Sequence, residues 1–148
     1  MSLRLVAGIG HPDRGDDAAG LLAARLLQCR LPPGVELRLC TGDLLALAQD
    51  WAGAELVICI DAVAPAGQPG RIHVLNGQTG FATGHPASSH GFGLAEAVAL
   101  SRALGTLPER LLIYGIEGAN FTAGAVMAPE VERATEKAAR LILAALVD

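Results

Sequence analysis

Long hydrophobic runs, aromatic residues, clustered positive charge and paired cysteines are all scarce in this 148-residue chain. Each scarcity excludes something. Hydrophobic residues make up 51% of the sequence and the mean hydropathy is +0.41, yet glycine or charge interrupts every apolar stretch. No segment approaches the roughly twenty consecutive apolar residues of a membrane span. The N-terminus has no basic region ahead of a long apolar stretch, so the sequence reads as a cytoplasmic protein without a secretory signal. Eleven basic against fifteen acidic residues give a net charge of −4, and no basic cluster offers a nucleic-acid surface. The three cysteines (Cys29, Cys40, Cys59) are widely spaced. An odd count without CxxC spacing reads as reduced thiols, small core residues rather than nucleophiles. No GxSxG elbow or HExxH pair is present. The length, with no repeat or linker, fits one domain over residues 1–148.

What is present is organised around Leu3–Leu27. An apolar run, Leu3–Ile9, ends in a glycine-rich acidic loop, and a leucine-rich amphipathic segment follows. That pattern predicts strand, turn and helix, the opening unit of an α/β domain. The loop holds His11, Asp13, Asp16 and Asp17, four potential ligands within seven residues, at the strand end where such sheets bind ligands. Gly8-Ile9-Gly10 does not read as a dinucleotide turn. The third glycine of GxGxxG would fall on Asp13, two acids would face a pyrophosphate, and no acid lies about twenty residues on to hold a ribose. The loop suits a cation, or a partner that carries one.

The remaining elements follow in order. Asp16 is placed to cap helix one and Asp17 to sit in its first turn. That helix runs to about Gln28 with Leu22, Leu26 and Cys29 on one face, and Gly20 within it implies close packing on the sheet. Val35–Thr41 alternates as a half-exposed edge strand, and a short helix ends near Asp50. Glu55–Asp61 reads as a central parallel strand. Arg71–Leu75 comes too soon for a parallel return, so it should be antiparallel or displaced. A helix over Phe92–Leu104 and a parallel strand over Leu111–Ile116 follow. The closing helix begins at Pro129 with a stripe of Val131, Ala134, Ala138, Leu141, Ile142 and Ala145.

Asp17, Asp61 and His90 fall at one edge of this sheet on three separate connections. Each alone has a plainer explanation: a helix-dipole complement, a turn cap, a bond to a backbone carbonyl. Together they form an oxygen-rich set with one imidazole and open positions, suited to a borderline divalent metal such as nickel or zinc. His11 is open between ligand and exposed loop residue, His85 reads as an exposed loop residue, and His73 as structural. Ser88-Ser89-His90 is no nucleophile–base pair, because chain neighbours rarely reach that geometry. Glu117 reads as a residue that caps or orients.

Gly8-Ile9-Gly10 followed by Gly15-Asp16-Asp17-Ala18-Ala19-Gly20 resembles the N-terminal signature of the hydrogenase maturation proteases. The resemblance continues through Asp61-Ala62, Ser89-His90-Gly91-Phe92-Gly93-Leu94, Gly115-Ile116-Glu117 and Pro129-Glu130-Val131. It implies an α/β fold of three layers, a twisted, mostly parallel five-stranded sheet with one antiparallel strand and helices on both faces. It also implies an aspartyl-type, metal-dependent endopeptidase that trims the C-terminal extension of a [NiFe] hydrogenase large-subunit precursor. Asp17, Asp61 and His90 would be both its metal-binding and its catalytic residues, and the nickel would come with the substrate. No organic cofactor is implied, and a monomer is expected. His11 departs from the asparagine common after the second glycine, and Ala18 from a common glycine. The same trio would also serve a non-catalytic nickel-binding accessory protein or a small zinc hydrolase.

Overall fold

The computed structural model describes residues 2–78 and 93–147. Five strands form one sheet: β1 (Arg4–Ile9), β2 (Val35–Cys40), β3 (Leu56–Val63), β4 (Ile72–Asn76) and β5 (Arg110–Glu117), in the order β2-β1-β3-β5-β4. The first three pairings are parallel, and β4 runs antiparallel to β5. Helices α1 (Ala19–Leu27) and α4 (Pro129–Leu146) cover one face, while α2 (Leu45–Asp50) and α3 (Leu94–Leu104) cover the other.

The period of two along the central strands sorts side chains between these layers. Val6, Leu56, Ile58, Ile60, Tyr114 and Ile116 pack toward α1 and α4. Leu5, Ala7, Val57, Cys59, Leu111 and Ile113 pack toward α2 and α3. On the second face the buried Trp51 indole donates to Ser101 Oγ at 2.8 Å, satisfying the polar atom that its burial would otherwise orphan.

The eight residues from Ala64 to Arg71 explain the displaced fourth strand. They are too few for a crossover helix, so the chain passes over β5 and returns antiparallel along its outer side. β2 is the other edge, as its alternation requires.

Three details differ from the sequence reading. Helix one buries Gly20, Leu21, Ala23, Ala24 and Leu27, while Leu22 is only half-buried. It is wedged between sheet and α4, so its smallest side chains face the closest neighbours. A Cβ on Gly20 would strike the carbonyl oxygens of Ile9 and Ile60. Cys29 lies beyond the helix, exposed, at φ 70°, and is no core residue; Cys40 is half-buried and Cys59 buried. In α4 the buried stripe runs Val131, Ala134, Ala138, Ile142, Leu146, which leaves Leu141 40% exposed on its flank. Among the described residues no helix is long and apolar enough to cross a membrane.

Candidate functional site

Because β1, β3 and β5 are parallel, they deliver their last residues to one edge of the sheet. The connections that leave this edge, residues 10–18, 64–71 and 118–128, bring together four buried acids.

Asp61 is the sixth residue of β3, paired with Gly115 on β5 and 7% exposed. Its Oδ1 accepts a hydrogen bond from the Ala62 amide at 2.8 Å. Burial pushes its carboxyl well above the usual range, and the nearby Asp17 charge pushes it further; the Ala62 amide pulls weakly the other way. Two carboxylates close enough to repel each other are thus brought together from positions 44 residues apart in sequence.

Asp17 stands on a single 3-10 turn, Gly15–Ala18, and is 9% exposed. Its amide donates to the Arg14 carbonyl at 3.0 Å, and its own carbonyl accepts from the His11 amide at 3.2 Å. A Cβ at Gly10 would collide with that carbonyl oxygen, so the glycine is what lets the loop close over the turn. His11 is half-buried in the same loop.

Asp16 does something different from the cap expected of it. The turn and the helix after it have no side-chain cap. The Asp16 carboxylate, fully buried, reaches across to the connection after β5. Oδ2 accepts from the amides of Ala119 and Asn120 at 2.7 and 2.9 Å, and Oδ1 from the amide of Ala128 at 2.8 Å. The Asp16 amide in turn donates to the Asn120 carbonyl at 2.9 Å. With both its oxygens engaged there, the acid does not cap α1.

Glu117 orients, as its position suggested. Only 1% exposed, it accepts from the amides of Ala66 and Gln68 at 2.9 and 2.5 Å and lies 3.7 Å from His73 Nε2. Burial pushes its carboxyl upward, but the two amides and the His73 imidazole outweigh this and hold it below the usual range. His73 is therefore structural, a partner of Glu117.

The structure brings Asp17 and Asp61 together. His90 and His85, with Ser88 and Ser89, lie outside the described residues. Among the described residues no three His, Cys, Asp or Glu side chains gather into a metal-holding group. The two carboxylates are hard oxygen donors in a dry setting, which suits part of a divalent cation's shell.

A family model described as hydrogenase maturation protease matches residues 42–145, a stretch that includes Asp61 and Glu117. Among solved structures the fold is similar to the hydrogenase maturating endopeptidase HybD from E. coli (27% identity, 99% of this chain and 92% of that one, TM-score 0.83). It is also similar to the hydrogenase 2 maturation peptidase of a Thaumarchaeota archaeon (26%, 98% of each chain, TM-score 0.71). The [NiFe] hydrogenase maturation protease HycI from Thermococcus kodakarensis shares the fold at 24% identity, over 99% of this chain and 94% of that one, with a TM-score of 0.80. No curated protein matches significantly. These structures match 98–99% of this chain, a span that extends beyond the residues of the family model. The chain is a member of the hydrogenase maturation protease family.

Proposed function

We propose that this protein removes the C-terminal extension of a [NiFe] hydrogenase large-subunit precursor after nickel insertion, and that Asp17, Asp61 and His90 recognise the nickel in that substrate. The convergence of two buried carboxylates at the sheet edge is the observation that supports the reading most. Two like charges in a dry site repel, and a divalent cation carried in by the substrate would offset that repulsion. Nickel with open positions would supply Lewis acidity toward the scissile carbonyl or a bound water.

The protein's own groups have separable tasks. Asp61, whose carboxyl holds its proton above the usual range, is suited to keep or give a proton at Oδ2, since Oδ1 accepts the Ala62 amide. Asp17, whose charge contributes to that shift, is suited to accept one. Asp16 and Glu117 hold the surrounding loops. Checking for nickel and cutting the tail would then share one site.

The test uses a large-subunit precursor from the source organism, prepared with and without nickel. Release of the tail from the nickel-loaded form alone is expected. Equal cleavage of both forms defeats nickel recognition, and no cleavage of either leaves the accessory-protein reading in its place.

A further inference from the structure

Two adjacent acids, Asp16 and Asp17, sit on one turn and are both buried, but it is Asp16 whose carboxylate is held by three backbone amides of the connection after β5. We infer that Asp16 is a positioning residue for the processing reaction: it anchors the turn to the connection after β5 and so fixes Asp17 against Asp61. This rests on the proposed protease function of the Asp17–Asp61 pair.

The geometry needs such an anchor. A four-residue 3-10 turn without a side-chain cap is weak alone. Asp16 supplies the hold. Its three charge-assisted hydrogen bonds, at 2.7, 2.9 and 2.8 Å, go to two points nine residues apart, Ala119–Asn120 and Ala128. The backbone closes the same joint from outside. Asp16 N meets Asn120 O at 2.9 Å, and Gly124 N meets Asp13 O at 2.7 Å. Glycines allow this approach: a Cβ on Gly118 would lie 2.5 Å from the Phe121 ring and 2.9 Å from Asp16 Cβ, and one on Gly15 would lie 2.5 Å from Asn120 O.

The two loops are therefore tied together by side-chain and backbone hydrogen bonds. Residues 118–128 form an uncharged, largely exposed connection beside the site, with Val126 89% exposed. Whatever displaces that connection displaces Asp17.

The inference is tested with Asp16→Asn and, from the opposite side of the joint, Ala128→Pro. Ala128 already has φ −63°, which suits proline, and the substitution removes the amide that Asp16 Oδ1 accepts. Each variant is assayed on nickel-loaded precursor well below its own melting temperature, with circular dichroism confirming a folded protein. A misplacement of the reacting group by about 1 Å lowers rates by roughly a hundredfold, so kcat should fall between tenfold and a hundredfold while KM changes less than about twofold. Wild-type kcat in both folded variants overturns the positioning role. If one variant does not fold, the other decides. A wild-type protein that does not process precursor overturns the functional reading, and this inference with it.

Discussion

Two regions of the same rim bury acids in opposite ways. In the joint made by Asp16 and Glu117, five backbone amides are spent on two carboxylates. In the pair Asp17–Asp61, also buried though less completely, the carboxylates are set against each other. The consequence shows in their protonation: Glu117 is held below the ordinary carboxyl range and Asp61 well above it. Buried acids that are saturated with donors are scaffold. Buried acids that raise each other's energy persist only where something else needs them, which is what makes the second region the candidate site.

The sharpest way to break this comparison is Asp16→Ala. Removing the carboxylate orphans three amides, and an orphaned buried donor costs about 1–3 kcal/mol, so a loss near 3 kcal/mol is expected. For a domain of this size that is a fall in Tm of roughly 10 °C, read by calorimetry. An unchanged Tm would mean that water replaces the acid without cost, and that the joint is not scaffold.

The pH dependence sharpens the contrast, because the two regions carry opposite signs. A raised folded value means that Asp61 stabilises fully below its unfolded value of about 3.9, and that the contribution is lost as pH rises through the folded value. A lowered folded value means that Glu117 stabilises above its unfolded value of about 4.3, and that this is lost as pH falls through the folded value. Urea titrations between pH 3 and 7 should show Glu117→Gln falling further below the wild type as pH rises, and Asp61→Asn rising further above it. Parallel curves would erase the distinction.

The smallest effect belongs to His73→Ala. The imidazole is 35% exposed and 3.7 Å from Glu117, a weak ion pair, so the stability change should stay under about 1 kcal/mol. Hydrogen exchange at Ala66 and Gln68 should rise while the Ala119 and Asn120 amides keep their protection. Equal loosening of both connections would show one clamp where two are described.

Much of this was readable in the chain. Hydrophobic periodicity, the short Ala64–Arg71 connection and Pro129 gave the layers, the antiparallel edge strand and the last helix, because local pattern and loop length determine them. Asp17 and Asp61 could be placed at one edge because one follows and the other lies near the end of strands that parallel topology must align. The faces of α1 and α4 were misjudged at Leu22, Cys29 and Leu141, where a wide buried arc favours small residues over the largest ones. Asp16 reads as a helix cap in the sequence and is instead a clamp between loops. Its partners lie more than a hundred residues away, and neither spacing nor composition distinguishes two neighbouring aspartates. The sequence traces are Gly118 and Gly15, residues without a side chain where the two loops approach.

Asp61→Asn tests the central claim most directly, with stability and processing measured on the same preparation at pH 7. The side chain can still accept the Ala62 amide while the buried charge is gone. The account predicts a protein with a higher Tm than the wild type that no longer releases the tail from nickel-loaded precursor. A variant that processes at the wild-type rate, or one that is destabilised by losing the charge, would contradict it.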